Sequence, residues 1–411
     1  MESFNLSQGI LSIHLPRALV NGIQVCLTDI LVNDSYADKA VANMLKQNTA
    51  WGSRDRKTAT GIVYGITRNY LKYLYLIREH WGKEIADQPA TLIPALITVT
   101  ALSDDQLKSK VVLEGFSWKE QYVHNLPSED LQYSIQKWIY NELLESWGTD
   151  TENILSWLDR PAPVYIRYNS LKTGLRKLTE ELDRLGVNYS VPAEPDGVIR
   201  IEGANQLRQS RAFKEGLFEF QDIGSQYIVR ETPVRPGQVV VDYCAGKGGK
   251  TIQLAARMKN EGRLIASDID PARLSQLQRR AQKAGVQNLE ISSPGQLRGQ
   301  QILADVVLVD APCTGSGTFR RQPDLKFRLT EHTLTEILPV QAQILKDAAQ
   351  LLRPGGTLAY ATCSLFRKEN SDQIKNFLEH HQDFSLIKEE YILPGRLDGD
   401  GFYLALLKYQ A

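Results

Sequence analysis

Between residues 239 and 409, short aliphatic runs alternate with segments of helical spacing, and this alternation limits the possible folds more than any other feature of the chain. Strands are expected at Val239–Asp242, Leu264–Ser267, Leu289–Ser292, Val306–Val309, Thr357–Thr362, Phe384–Lys388 and Gly401–Tyr409. Helices are expected over Pro271–Ala284, Leu334–Leu352 and Glu369–His380. Such alternation predicts an α/β domain whose mostly parallel, Rossmann-like sheet is covered by helices on both faces.

Within that domain the stretch Ala304–Arg321, ADVVLVDAPCTGSGTFRR, concentrates chemistry. A buried strand there ends in Asp310, a rigid Pro312 and the thiol of Cys313, followed by a loop with Gly315 and Gly317. The run from Thr357 ends in Cys363 and Ser364. Ligands of open α/β sheets bind outside the carboxyl ends of the strands. If these two strands are neighbours, about 5 Å apart, both thiols face one pocket.

Three readings compete for the loop at 242–251, DYCAGKGGKT. A phosphate-binding P-loop requires glycine where Cys244 stands, and a dinucleotide fingerprint requires glycine where Thr251 stands. What remains is Asp242 at a strand end, a glycine turn, and Asp268 after the next strand. Glycines admit a ligand close to the backbone, and Asp268 can accept hydrogen bonds from two ribose hydroxyls. That describes a nucleoside pocket without a phosphate cradle. S-adenosylmethionine suits it, because carboxylates such as Asp242 and Asp310 attract a sulfonium cation. The plainer alternative is that the glycines only turn the chain and the acids cap helices. Lys250 in the first helical turn opposes the helix dipole, which favours a functional role.

Upstream, helical spacing dominates 1–158, with apolar stripes over Tyr36–Leu45, Arg54–Leu76 (Ser53 as N-cap), Ala90–Leu102 and Leu131–Trp147. An all-α bundle is expected. Asp159-Arg-Pro-Ala-Pro163 reads as a stiff boundary. Residues 159–232 form a small α/β unit with strands at Val164–Tyr168, Val187–Val191 and Val198–Ile201 and a helix at Leu175–Leu185. Arg167 and Lys172 are its candidate RNA contacts, against the alternative of a plain linking subdomain. The methyl-transfer chemistry is assigned to 233–411.

Lys+Arg and Asp+Glu both number 48, so the molecule has no strong overall field, although a local basic groove is compatible with that balance. Four widely spaced cysteines without a CxxC pair indicate neither a disulfide framework nor a zinc site. No apolar stretch reaches the roughly 18 residues of a membrane span, and the start, MESFNLSQG, lacks the features of a signal peptide. A cytoplasmic protein with no membrane partner is expected.

Together DYCAGKGGKT, SDIDPARL, VLVDAPCTGSGTFRRQPDLKFR, RPGGTLAYATCSLFRKEN and DGFYLALLKY, led in by FEFQDIGSQ, resemble the Fmu/Sun-type (RsmB-like) RNA cytosine-5 methyltransferases. The resemblance runs from about residue 160 to the end, and a cysteine in both the DAPC and TCS elements is its most specific part. Residues 40–75 are similar to the family's NusB-like helical domain only loosely. The resemblance implies a class I methyltransferase fold, S-adenosylmethionine as cofactor and RNA as partner, with small-subunit ribosomal RNA ahead of transfer RNA. It implies that Cys363 is the nucleophile and that Cys313 assists release. Cys244, Ala245, Gly246, Lys247, Gly248, Gly249, Lys250, Asp268 and Asp310, with Asp242, fall at donor-binding positions. Asp310 is expected to stabilise charge on the base as well. Arg320 and Arg321, then Lys326 and Arg328, follow the active loop and are expected to hold phosphates. A monomer is expected. Two departures stand out: CAGKGGK where the family has CAAPGGK, and Ser292-Ser293-Pro294-Gly295 where it places an acid. The second favours the rival reading of a catalytically idle RNA-binding assembly factor.

Overall fold

The computed structural model describes residues 4–5, 11–13, 15–102, 111–113, 126–298 and 300–410. They divide into two compact units, Met1–Asp159 with Phe319–Leu329, and Arg160–Thr318 with Thr330–Ala411.

The second unit carries a seven-stranded sheet: β1 (Val239–Asp242), β2 (Arg263–Ser267), β3 (Leu289–Ser292), β4 (Ala304–Asp310), β5 (Leu352–Thr362), β6 (Phe384–Ile392) and β7 (Phe402–Tyr409). Their spatial order is β3-β2-β1-β4-β5-β7-β6. Pairings from β3 through β5 are parallel, and β7 runs antiparallel between β5 and β6. The expected mostly parallel sheet is therefore present. Its central strands are aliphatic because both faces are covered: Val307, Leu308 and Val309 have no exposed surface. Each such side chain contributes about 1.5–3 kcal/mol by leaving water.

Strand order reverses between β1 and β4, whose register pairs Leu308 with Asp242. A crevice opens at such a switch point, at the carboxyl ends of the strands. Both strands end there in an aspartate.

The same unit contains a four-stranded antiparallel sheet in the order Asn188–Ser190, Val198–Glu202, Val164–Tyr168, Phe218–Phe220. Helix Leu175–Arg184 lays Leu178 and Leu182 on it. The lead-in FEFQDIGSQ holds the strand Phe218–Phe220 and the start of the helix Ile223–Glu231, neither of which apolar spacing predicts. Glu219 anchors this sheet to the larger one by pairing with Arg280 at 2.7 Å and Lys283 at 3.5 Å.

The first unit is helical, with additions that apolar spacing did not reveal. Three short strands, Phe4–Asn5, Leu11–Ile13 and Val111–Leu113, form a small antiparallel sheet, so the unit is not purely α. The single helix expected over Arg54–Leu76 is two, Ser53–Arg68 and Tyr70–Trp81. Asn69 leaves the helical conformation, and its side chain donates to the Gly65 carbonyl. The N–H groups of Leu71 and Lys72 that the break exposes donate to Ser134 Oγ. Gly52, not Ser53, occupies the N-cap position. Likewise, Leu131–Trp147 splits into Glu129–Gln132 and Lys137–Trp147.

Phe319–Leu329 completes this unit. Phe327 packs on Tyr70 with ring centroids 4.6 Å apart. Lys326 is 1% exposed; its ammonium meets Asp159 Oδ1 at 2.8 Å and the carbonyls of Tyr133 and Arg68 at 2.9 and 3.3 Å. Arg328 pairs with Asp34 and Asp324. Both residues had been expected to meet phosphates; these internal acceptors occupy them instead.

Replacing Lys326 by Met keeps the stem and strands three acceptors, which is expected to destabilise the unit by about 2–4 kcal/mol. All six tryptophans lie within residues 51–157, so fluorescence in a urea titration reads this unit selectively. An unchanged midpoint would refute the structural role given to Lys326.

Candidate active site

The glycine turn after β1 is shaped by backbone demands. Gly246 and Gly248 both have positive φ (53° and 85°), and a Cβ on Gly248 would come within 2.6 Å of Leu277. Gly248 precedes helix Gly249–Arg257, whose first residues include Lys250 and Thr251. Lys247 is exposed, while its carbonyl accepts from Arg280. Asp268 is 7% exposed and accepts from the N–H of Gly246 at 2.8 Å and of Asp270 at 2.9 Å. One carboxylate thus fixes the glycine turn against the end of β2. Ala245 is buried, and its N–H donates to the Ser267 carbonyl.

Asp242 is fully buried. Its Oδ2 accepts from Thr251 Oγ1 at 2.6 Å, whereas Oδ1 has no hydrogen-bond partner. Burial pushes this carboxyl up to about 7; the Thr251 hydroxyl pulls it down, Asp310 pushes it further up, and Lys250 and Asp268 act in opposite senses. Burial likewise raises the Cys244 thiol well above its usual range, and Asp242, Asp310 and Asp268 add to that. An unpartnered buried carboxylate oxygen among acids is unfavourable by itself. It is the natural seat of a ligand cation. The residues therefore fit S-adenosylmethionine, which supplies a positively charged methyl donor when bound.

At the ends of β4 and β5 the two thiols meet. Register pairs Asp310 with Ala361, and Cys313 Sγ lies 3.3 Å from Cys363 Sγ. The cysteines are free, and the spacing is well beyond the ~2.05 Å of a disulfide. Gly317 closes the arrangement: its N–H donates to the Cys363 carbonyl at 2.9 Å, and a Cβ there would stand 2.2 Å from the Gly401 carbonyl. The Cys313 thiol is raised well above its ordinary value, first by its hydrogen bond to Cys363, then by burial and by Glu369.

Lys250 reaches the same point from the other side, its Nζ 2.7 Å from Asp310 Oδ2. Burial works to lower this ammonium, but Asp310 outweighs it, and Cys363 and Asp242 contribute in the same direction, so Lys250 is held charged.

The structure thus brings together Asp242, the Cys244–Lys250 loop, Asp268, Asp310, Cys313 and Cys363. It does not bring Arg167 to a surface. That side chain is 6% exposed, donates to Gln221 Oε1 at 2.7 Å, and is lowered to about 10 by burial against the opposing pull of Glu219. Arg320 is 3% exposed within the helical unit, its guanidinium 6.0 Å from the Trp157 ring centroid. Neither meets a phosphate from such a position. Lys172 is exposed and donates to the Glu215 carbonyl, and Arg321 is half-buried. Where the family places an acid, Ser293 caps the short helix Pro294–Leu297 in a reciprocal bond with Gln296. Nothing in its sequence context singles out Glu369, which resembles an ordinary solvated acid at a helix start but has no exposed surface.

A glycine turn at the switch-point crevice of a mostly parallel, helix-covered sheet is the frame of an S-adenosylmethionine-dependent methyltransferase. Residues 232–408 match the family described as 16S rRNA methyltransferase RsmB/F, and residues 136–208 match the ferredoxin-like domain of RsmF/B-like methyltransferases. The chain is 30% identical to a probable ribosomal RNA small subunit methyltransferase B of Synechocystis, over 93% of this chain and 97% of that one. It is 32% identical to ribosomal RNA small subunit methyltransferase B of Salmonella enteritidis, over 77% of each. The crystal structure of PH0851 superimposes with a TM-score of 0.81 at 26% identity, covering 96% of this chain and 99% of that one. The chain belongs to the RsmB/F family of rRNA methyltransferases.

Burial pushes the Asp242 carboxyl up to about 7, so if its ionised form holds the donor cation, affinity is expected to rise between pH 6 and pH 8. Below about pH 7 each binding event must release a proton, so affinity falls by up to about tenfold per unit. Calorimetry with S-adenosylmethionine measures this. Asp242→Asn is expected to bind more weakly with a flat profile; a sloped profile in that variant would remove Asp242 from the donor site.

Proposed function

We propose that the chain methylates carbon 5 of a cytosine in RNA through a covalent bond between Cys363 and carbon 6. The observation that supports this best is the 3.3 Å approach of two free thiols beside the Lys250–Asp310 pair. Carbon 5 of cytosine is too weak a nucleophile to take a methyl group unaided. Addition of a thiolate at carbon 6 makes the ring an enamine whose carbon 5 is nucleophilic. A thiol suits this better than a hydroxyl because its ordinary pKa lies near ~8.5. Lys250 supplies positive charge next to Cys363, and Asp310 is placed to stabilise charge developing at ring nitrogen 3.

We give the attacking role to Cys363, which ends the β5 run beside the Lys250 ammonium, and the release role to Cys313, whose thiol is raised by Cys363, burial and Glu369. Once Cys363 has become a neutral thioether, the first cause of the high Cys313 pKa is gone. Cys313 then gives its proton to solvent and can take the carbon 5 proton, after which the bond from Cys363 to carbon 6 breaks and the methylated base is released.

The names of the curated relatives favour small-subunit ribosomal RNA as substrate. Exposed Lys172 and the partly exposed Arg321 are the proposed phosphate contacts that remain. The target base must be extruded from its stack.

Cys363→Ala is expected to abolish methyl transfer while RNA binding persists; full activity would refute the nucleophile. Cys313→Ala is expected to accumulate a covalent protein–RNA adduct on denaturing gels, and normal turnover without adduct would refute its part in release. Bisulfite sequencing of ribosomal RNA with and without the gene identifies the base.

A further inference from the structure

Four hydrogen-bond donors converge on the Glu369 carboxylate. The backbone N–H of Thr314 donates to Oε1 at 2.8 Å and the Thr314 hydroxyl to Oε2 at 2.5 Å. Gln341 Nε2 donates to Oε1 at 3.0 Å and also holds the Pro312 carbonyl at 2.9 Å. The Ser364 hydroxyl donates to Oε2 and itself accepts from the Phe366 N–H at 3.1 Å. Thr314 directly follows Cys313, Ser364 directly follows Cys363, and Pro312 directly precedes Cys313. One side chain therefore grips both cysteine loops within a residue of each sulfur. The chain on either side of Glu369 is fixed as well: its carbonyl accepts from Tyr360 Oη at 2.8 Å, and Asn370 Nδ2 donates to the Ser364 carbonyl at 2.9 Å.

We propose that Glu369 is a positioning residue that sets the approach of Cys313 to Cys363 by tying the loops that carry them to one buried carboxylate. A carboxylate can accept all four bonds because each oxygen takes two. No isosteric neutral group can: an amide in its place would turn a donor towards donors. Burial pushes the carboxyl up, and the hydrogen bonds from Ser364, Thr314 and Gln341 oppose that push. The charge of Glu369 also adds to the rise of the Cys313 thiol.

This inference rests on the two-cysteine reading above only for its catalytic consequence; the geometric claim is separable. Diamide oxidises two adjacent thiols to a disulfide, its N=N bond taking up the two protons and two electrons. The rate of that cross-link in the full-length protein reads sulfur–sulfur approach independently of methyl transfer. Glu369→Gln is expected to cross-link about tenfold more slowly. Its kcat is expected to fall about 100-fold, the scale of an ångström-sized misplacement, with the KM for RNA and the affinity for S-adenosylmethionine within twofold of the parent. Wild-type cross-linking and kcat in this variant would overturn the proposal. If Glu369→Gln does not fold, Thr314→Val removes one of the four donors at constant shape. Slower cross-linking in Thr314→Val then supports the brace, and an unchanged rate overturns it. Loss of cross-linking in a protein whose Cys363→Ala variant remains active would instead uphold the brace and refute the nucleophile.

Discussion

Parallel pairing of β4 with β5 runs in register from Val306 opposite Thr357 to Asp310 opposite Ala361, and the active site depends on it. Both strands leave the sheet at the same level, so two loops that are 50 residues apart in sequence begin side by side. Hydrophobic burial on both faces sets that register, because sliding either strand would put its loop at a different height and pull aliphatic side chains from the core. The thiols need no metal or disulfide to meet. They meet because two strands end together and because Gly317 lets the β4 loop lie against the Cys363 carbonyl and Gly401 without a side chain between them.

On this frame the charges are arranged unequally. Lys250 and Asp310 form an ion pair, and the Glu369 carboxylate accepts from the loops that carry the sulfurs. The two cysteines stand in different fields: Glu369 and burial help to raise the Cys313 thiol, while Cys363 adds to the field that keeps Lys250 charged. The donor side follows a related logic. Asp242 is buried with one oxygen unpartnered, an arrangement whose cost a nearby cation would offset.

Much of this was legible in the amino-acid order. The two cysteines stand at the ends of aliphatic runs, and such runs can be recognised as strands without knowing their partners. The glycine turn was legible because positive φ and close approach both demand glycine. What the order did not reveal is where each charge ends up. Arg167, Arg320 and Lys326 were read as phosphate contacts because a cation in a loop or after a strand is ordinarily solvated. Their partners, Gln221 for Arg167 and Asp159 with the Tyr133 and Arg68 carbonyls for Lys326, are 54 and up to 258 residues away. No local pattern encodes such a pairing. The break at Asn69 was hidden for the same reason, since the apolar stripe continues through it and the group that satisfies the interrupted turn is Ser134.

Glu369 shows the limit in its sharpest form. In the sequence it is one acid in Arg-Lys-Glu-Asn, ahead of a helix, where acids are favoured by the helix dipole and usually face water. In the fold it has no exposed surface. A buried carboxylate is retained only where its neighbours repay the loss of hydration, and here every neighbour that does so belongs to, or holds, a loop bearing one of the thiols. A well-packed apolar side chain would fill the same space and leave no donors to coordinate the loops. The choice of an acid at this position is therefore explained by the requirement that two separately folded loops present their sulfurs at a fixed spacing, rather than by stability alone.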